Sequence, residues 1–505
     1  MTTGMSLFKK FLFSLVLLLP VAVFPQDSTK IWLEYANFWK FDKDINPDYQ
    51  RIIGDVILRH DSIHLYCDSA FLNNAKNNVI AFGNVHVKIS DTLNIFGDSL
   101  TYNGNTKIAR VKGNVRLLDN ETLLTTDTLV FNRNTQISQY DNWGKIVNGR
   151  NVLVSKHGYY YTARKEFFYK DKVILMNPDN VMHSDTLMYN TVTEVAYFYG
   201  PSNIKGKDDS IYCENGWYNT AKNIARFRKK GKVFYQEQVL TGDSIYYERN
   251  TGYGQVFHNA NLIDTLNKVI VAGEYGEMQR RKGFAFMTDR AVAKFIEKKD
   301  TLFMHSDTIR ATFDTNQHVR NIYCFYKVKF FRMDMQGMCD SLTWHSKDSS
   351  MTLYKNPVLW SYTNQLTADT IILRMKNNQA DSMIMRNSAF IISRDDTNKF
   401  NQVKGRDMIG YFLNNELYKI RVIGNAETIY FAREDDRTMI GVNKAVSSNM
   451  LIFLEKNQLK SITYIEQPSA TLYPEKEVSV HDLFLRDFKW LIAKRPLSKN
   501  DIFTW

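Results

Sequence analysis

One short motif returns along the chain about every 30 residues, or at twice that interval. Its clearest copy is Gly97-Asp-Ser-Leu-Thr-Tyr-Asn103, in which an acidic residue is followed by a hydroxyl residue, an apolar residue and an aromatic one. The acidic positions of the copies are Asp68, Asp98, Asp127, Asp185, Glu214, Asp243, Asp307, Asp340, Asp369 and Asp407. A fixed period of this length indicates an array of one supersecondary unit, so the repeat decides the fold.

Each repeat has two halves, and both halves have the pattern of a β-strand. The first half alternates valine or isoleucine with polar residues and contains a glycine, as in the stretch Val79–Val87. Alternation of this kind predicts a half-buried strand, and a glycine at a recurring position predicts a bend. The second half is the return strand that carries the motif. About thirteen such repeats of two bent strands predict an all-β, elongated antiparallel jelly-roll, in the form of a folded sheet.

Alternation also assigns the faces of the strands. In the copy at residues 98–102, Leu100 and Tyr102 share one face, whereas Ser99 and Thr101 share the other. The equivalent apolar and aromatic positions of the other copies form one interior row, and the valines of the first halves form a facing row. The predicted interior residues are Val85, Val87, Leu100, Tyr102, Val115, Leu117, Leu129, Phe131, Leu187, Tyr189, Ile245, Tyr247, Leu342 and Trp344.

The two ends of the chain differ from the array. Residues 1–26 combine Lys9 and Lys10 with an apolar run too short to span a bilayer comfortably, which predicts a signal peptide. An uncleaved membrane anchor is the alternative. We expect residues 27–50 to form an N-terminal cap and residues 51–465 the repeat array. Removing the signal peptide lowers the net charge from +12 to +10, and the basic excess that remains fits an anionic partner such as lipid phosphates, nucleic acid or an acidic glycan.

The last segment, residues 466–505, is predicted to be a C-terminal cap with a short helix. Phe484, Phe488 and Leu491 fall at helical spacing within residues 481–495, and Pro496 follows them. A helix that binds a partner is the alternative interpretation of the same stripe.

The chemistry-bearing residues do not assemble into a catalytic motif. The motif aspartates recur at a spacing that prevents them from sharing one cation, and we expect them to stabilise the bends. His60 and His64 flank a turn and have no recurring third partner, which makes zinc a weak hypothesis. We therefore predict no catalytic residue, no metal and no cofactor. A disulfide between Cys324 and Cys339 remains open.

The repeated Gly-Asn-Val strand, followed by a return strand of the type Asp-Ser/Thr-apolar-x-aromatic-Asn, resembles the OstA-like family over residues 51–455. That family includes LptA, the periplasmic bridge protein of lipopolysaccharide export. The resemblance implies a "β-taco" whose interior row holds the acyl chains of lipid A. It also implies a periplasmic location near the outer membrane, and partners that are lipopolysaccharide, other Lpt-type components or further copies stacked end to end. Nucleic acid is not expected as a partner.

Two other functions remain open on the sequence. One is a structural or adhesive protein of the cell envelope with a filled core and no lipid ligand. The other is a glycan-active β-helix enzyme, which would need a cluster of acidic or metal-binding residues.

Overall fold

The computed structural model describes residues 29–41, 44, 47–266, 268–296, 300–315, 318–376, 379–414, 416–434, 436, 438–455 and 458–505. The predicted signal peptide lies outside these residues. The chain divides into two compact units, the first made of residues 1–120 and 125–138, and the second of residues 121–124 and 139–505.

The described residues form 38 β-strands and five 3-10 turns, with no α-helix among them. The strands up to β20 are β1 (Trp32–Tyr35), β2 (Phe38–Phe41), β3 (Gln50–His60), β4 (Ile63–Asn73), β5 (Asn78–Lys88), β6 (Leu93–Asn103), β7 (Ile108–Asp119), β8 (Thr122–Asn132), β9 (Ile137–Tyr140), β10 (Gly144–Asn148), β11 (Asn151–Ser155), β12 (His157–Tyr161), β13 (Glu166–Met176), β14 (Val181–Asn190), β15 (Val195–Lys205), β16 (Asp209–Asn219), β17 (Ile224–Tyr235), β18 (Gln238–Glu248), β19 (Tyr253–Asp264) and β20 (Val269–Gln279).

The later strands are shorter on average. They are β21 (Phe284–Thr288), β22 (Val292–Ile296), β23 (Thr301–His305), β24 (Thr308–Phe313), β25 (Val319–Phe331), β26 (Gln336–His345), β27 (Ser350–Tyr354), β28 (Val358–Ser361), β29 (Asn364–Thr367), β30 (Thr370–Lys376), β31 (Gln379–Arg386), β32 (Ala389–Asp396), β33 (Lys399–Gly405), β34 (Asp407–Leu413), β35 (Glu416–Arg433), β36 (Met439–Glu455), β37 (Gln458–Ile465) and β38 (Ser469–Tyr473). The 3-10 turns are Arg280–Lys282, Glu475–Glu477, Val480–Leu483, Ile492–Lys494 and Asp501–Phe503.

Antiparallel hairpins build both units. In the first unit β3, β4, β5, β6 and β7 pair in sequence order, and in the second unit β13 to β20 do the same. After β20 several repeats divide a bent strand into two separate ones, as β21 and β22 both pair with β20. The predicted all-β antiparallel fold is confirmed.

The bends occur where two consecutive residues have a left-handed backbone. Gly83 and Asn84 have φ angles of 76° and 44°, and the pairing of β4 with β5 shifts register at this point. The predicted bend at the recurring glycine is therefore confirmed. Glycine suits this position because it reaches positive φ without steric cost. However, Lys229 and Lys230 make the same bend with φ angles of 52° and 59°, so the repeat can bend without a glycine at these two positions.

The predicted C-terminal helix is wrong. Residues 474–505, here called the strap, contain no strand and consist of four short 3-10 turns joined by irregular segments. Asp487, within the predicted helix, has a φ angle of 71°, which an α-helix does not accommodate. The aromatic stripe is real but serves another purpose: Phe484, Phe488 and Trp490 pack on Phe390, Ile392 and Phe400 of the sheet.

Two buried glutamines of the sheet fix the backbone of the strap. Gln402 donates from Nε2 to the carbonyl of Leu483 at 2.8 Å and accepts from the N–H of Leu485 at 2.9 Å. Gln365 makes the same two bonds six residues further along the strap. It donates to the carbonyl of Lys489 at 2.7 Å and accepts from the N–H of Leu491 at 2.7 Å. Each side-chain amide therefore donates to one backbone carbonyl of the strap and accepts from one backbone N–H, groups that burial would otherwise leave unpaired.

Candidate functional site

The residues predicted to line the interior of the first unit do lie inside it. Val85, Val87, Leu100, Val115 and Leu117 are all buried. Leu129 and Phe131 are also buried, at 0% and 2% exposure. Tyr102 is half-buried, whereas its neighbour Thr101 is exposed, as the alternation predicted.

The interior positions of the second unit follow the same pattern. Leu187, Tyr189, Ile245 and Leu342 are buried, with exposures of 0–1%. Tyr247 and Trp344 are half-buried. These positions belong to three different repeats, so the buried apolar row recurs along the unit.

The two rows of the first unit meet around a small cavity. It is lined by Val87 of the facing row and by Leu100, Tyr102 and Phe131 of the motif row, among others. Its volume is about 30 Å³, which is room for a water molecule or two. The side chains therefore fill the interior at this point, and a long-chain ligand would require them to move apart.

Polar residues close one side of this cavity. His60 and Arg133 contribute to its lining, and the His60 ring bonds the hydroxyl of Tyr102 at 2.6 Å. Asp61 pairs with Arg133 at 2.6 Å and with Lys107 at 3.3 Å. A hydrogen bond from Thr29, aided by both cations, lowers the pKa of Asp61 to about 2. Two cations share one carboxylate here, which leaves a positive balance beside an apolar cavity.

The second unit contains a group of buried tyrosines that the sequence reasoning missed. Tyr140, Tyr160, Tyr169 and Tyr189 come from four strands, β9, β12, β13 and β14, and all have exposures of 2% or less. The ring of Phe167 stacks on Tyr160 at a centroid distance of 4.0 Å and on Tyr169 at 5.5 Å. The signal was available, because Phe167 and Tyr169 alternate on a first-half strand just as the predicted valines do.

Two of these tyrosines have identified hydrogen-bond partners, and a third is also engaged. Tyr140 bonds the hydroxyl of Ser155 at 2.7 Å, and Tyr189 accepts from Asn151 at 2.9 Å; Tyr160 is also engaged. The hydroxyl of Tyr169, in contrast, has no hydrogen-bond partner among the described residues. Burial raises the pKa of Tyr169 well above its usual value, so the phenol is neutral and able to donate.

The motif acids stabilise the bends, as predicted, but mainly through the side chain that follows on the next strand. Asn114 donates to Asp98 at 2.8 Å, and Asn84 donates to Asp68 at 3.0 Å. Lys230 replaces the asparagine opposite Glu214, at 2.7 Å. In the part of the chain that the structure describes, no group of three His, Cys, Asp or Glu residues is placed to hold a metal ion.

The cysteines answer a question that the sequence left open. Cys324 and Cys339 are both buried and both free, as are Cys67 and Cys213. Burial raises the pKa of the Cys324 thiol to about 12, which makes it a poor nucleophile.

A larger concavity lies on the opposite side of the sheet from the interior. It is lined by Phe325, Ser341, Tyr354 and Thr370, among others, and has a volume of about 600 Å³. These residues are cross-strand neighbours on β25, β26, β27 and β30. They alternate with the buried Leu342, so the concavity is an outer surface rather than part of the interior row. Among the described residues, no helix is long and apolar enough to cross a bilayer.

Comparison with known proteins assigns the family. A family model described as OstA-like protein matches residues 28–185, 175–237 and 210–295, together more than half of the chain. The chain belongs to the OstA-like family. The matched residues of this OstA-like protein include the whole described part of the first unit and the tyrosine group of the second.

Among solved structures, fifteen chains match this OstA-like protein. One is the crystal structure of LptH from Pseudomonas aeruginosa, described as the LptA-homologous periplasmic component of the conserved lipopolysaccharide transport device. It is 12% identical, with a TM-score of 0.14, and the match covers 26% of this chain and 79% of that one. No curated protein matches the chain.

Proposed function

We propose that this OstA-like protein binds lipopolysaccharide in the periplasm and carries it towards the outer membrane, with the acyl chains held between the two interior rows. The observation that carries the proposal is the apolar row that recurs at Leu100, Leu187, Ile245 and Leu342, buried in every case. Acyl chains need continuous apolar surface, worth about 0.8 kcal/mol for each CH₂ buried. The role is that of a conduit, without catalysis by the protein.

Lipid entry requires the interior to open. The cavity beside Leu100 and Phe131 has a volume of only about 30 Å³, far below that of an acyl chain. An antiparallel sheet that bends at isolated residue pairs can open by a small change at each bend, because the hydrogen-bonded ladders on either side stay intact. The paired cations Lys107 and Arg133 beside this cavity suit the phosphates of a glycolipid.

The N-terminal edge supports stacking with another Lpt-type component or with a second copy. Strands β1 and β2 both pair with β3 on one side only, as far as the described residues show. Trp32, Phe38 and Trp39 on these strands are 63%, 71% and 64% exposed. A sheet edge that exposes aromatic residues suits the addition of a further strand.

A structural protein with a filled core is the second candidate. It is favoured by the side chains that fill the interior, with exposures of 0% at Leu129, Leu187 and Tyr189. The two candidates differ in one respect only, which is whether lipid enters between the rows.

Photo-crosslinking separates the two candidates. A photoreactive amino acid at position 187 or 247, in cells that make lipopolysaccharide, should give an adduct with it, whereas one at the exposed position 101 should not. Equal labelling of Thr101 and the interior positions, or no adduct at Leu187 and Tyr247, would contradict the proposal. A melting curve of each variant controls for damage to the fold.

A further inference from the structure

The hydroxyl of Tyr169 is a buried polar group without a partner. The residue is 0% exposed, and its hydroxyl oxygen makes no hydrogen bond to any described residue. Removing a hydroxyl from water without giving it a new partner costs free energy, on the order of 1–3 kcal/mol. Buried polar groups in native proteins are nearly always paired, so this exception calls for a physical explanation.

The surroundings show that the interior can satisfy a tyrosine hydroxyl where the fold requires it. Tyr140 has Ser155 at 2.7 Å, and Tyr189 has Asn151 at 2.9 Å. Both partners lie on the buried face of β11, on either side of Leu153. The missing partner at Tyr169 is therefore a property of that position and not of the whole tyrosine group.

Packing does not explain the hydroxyl either. Phe167 occupies the previous interior position of the same strand, and its ring is almost parallel to that of Tyr169, with an interplanar angle of 1°. A phenylalanine at position 169 would make the same ring contacts without an unpaired hydroxyl. Since the chain has phenylalanine at one of two equivalent positions, the oxygen at the other is not needed to fill space.

The location of Tyr169 connects it to the proposed lipid path. Its neighbours in register are Gly158 on β12 and Leu187 on β14. Leu187 is one of the residues that we expect to contact acyl chains. The stacked ring of Phe167 holds the phenol in one orientation, so the donor is fixed beside the apolar row.

We propose that Tyr169 donates a hydrogen bond to an oxygen carried by the bound acyl chain, and that this subsite favours oxygen-substituted fatty acyl chains over plain ones. The oxygen can be a hydroxyl on the chain or the carbonyl of an ester. The inference rests on the proposed function, because it requires acyl chains to occupy the interior. The neutral phenol supplies the proton of the hydrogen bond and keeps it, so no covalent step is involved.

The test compares chain chemistry in the full mature protein. The probes are tetradecanoate, a set of tetradecanoates with one hydroxyl at different carbons, and an ester of tetradecanoate with one of them. Affinities are measured by displacement of a fluorescent fatty acid. The wild type should bind at least one hydroxylated or ester probe about three- to tenfold more tightly than tetradecanoate, the value of about one net hydrogen bond. The hydroxyl position that increases the affinity most shows which carbon of the acyl chain lies beside Tyr169.

Two variants complete the experiment. Tyr169→Phe should bind all the probes equally and should melt at the same temperature as the wild type or higher, because the unpaired hydroxyl is gone. Tyr140→Phe is the matched control: it removes a hydroxyl that has a partner, so stability should fall while the preference remains.

The outcomes distinguish the two proposals. If no fatty acid binds the wild type, the proposed lipid path fails and the subsite fails with it. If fatty acids bind but hydroxylated, ester and plain chains bind equally, the subsite alone is overturned. A preference that survives Tyr169→Phe also overturns it.

Discussion

Two regions of the second unit bury apolar residues in different ways. In β13 to β20 one face of the sheet is buried, as in β13, where the buried Phe167 and Tyr169 alternate with partly exposed neighbours. In β26 to β36 stretches of both faces are buried, and in β35 the consecutive residues Thr428 and Ile429 are 2% and 1% exposed. The difference is the strap, which covers the outer face of the later strands with Leu483, Leu485 and their neighbours.

The array therefore has two sources of order. In β13 to β20 the repeat itself supplies both the strands and the residues that fill the interior. In β26 to β36 a segment outside the repeat packs apolar side chains on the sheet, and buried glutamines of the sheet bond the backbone of that segment. The first arrangement depends on local, repeated pairing, whereas the second depends on contacts between residues more than 80 positions apart, as between Gln402 and Leu485.

Removing the strap should have the largest effect. A chain that ends after Tyr473 exposes Phe390, Phe431 and Trp360, which the strap covers, and should lose on the order of 5–10 kcal/mol of local stability at 1.5–3 kcal/mol for each large side chain. Hydrogen exchange should show lost protection in residues 336–445 and retained protection in residues 166–264. Equal loss in both ranges would mean that the two regions fold as one cooperative block.

Substitution of a single buried residue should have the next largest effect on stability. Leu187→Ala should cost about 2–5 kcal/mol and Phe431→Ala about 3–5 kcal/mol, because each leaves a cavity at a buried site. Limited proteolysis should release the strap from the Phe431 variant but not from the Leu187 variant. Val192→Ala, at a 74% exposed turn position, is the control and should stay within about 0.5 kcal/mol in chemical unfolding.

Gln365→Leu tests whether the glutamine contacts hold the strap. The substitution keeps the apolar contacts but leaves the carbonyl of Lys489 and the N–H of Leu491 unpaired, which should cost about 2–3 kcal/mol. We expect faster hydrogen exchange in the strap, measured at the amide of Leu491. Gln379→Leu, at an exposed hairpin end, is the control and should leave that exchange rate unchanged. An unchanged rate in the Gln365 variant would mean that apolar packing alone holds the strap on the sheet.

The smallest effect is expected at the bends. Burial alone would raise the pKa of Asp407, but the N–H of Asn387 and the guanidinium of Arg406 outweigh it and hold the pKa below its usual value. Because the folded pKa is the lower one, this stabilisation is present above about pH 4 and lost as the pH falls through the folded value. Asp407→Asn should therefore remove on the order of 1 kcal/mol at pH 7 and less at pH 3, measured by urea unfolding.

Asp243→Asn is the matched change at an exposed bend of the strap-free region. Its partner Asn259 lies at 2.9 Å, and the exposed pair should contribute less than about 0.5 kcal/mol at pH 7. A larger loss from Asp243→Asn than from Asp407→Asn would contradict the idea that the strap-covered region has the more deeply buried bends.

Much of the molecule follows from the sequence by itself. The period of about 30 residues determined an antiparallel array, and the alternation of apolar residues determined which side chains lie inside, as at Leu100 and Leu187. The bends at glycines were predictable from the sequence. The bend at Lys229 and Lys230 was not, because lysine has no intrinsic preference for a left-handed backbone. These successes share one physical reason: strand alternation and turn conformation are local properties.

Only the tertiary structure decided the strap and the tyrosine group. Phe484, Phe488 and Leu491 have helical spacing, yet each contacts the sheet from an irregular segment whose backbone bonds the side chains of Gln402 and Gln365. Tyr169 has the same pattern as the valines of other repeats, and its unpaired hydroxyl becomes visible only beside the partners of Tyr140 and Tyr189. Both depend on which distant residues meet, because the free energy of a buried polar group is set by its neighbours in space and not by those in sequence.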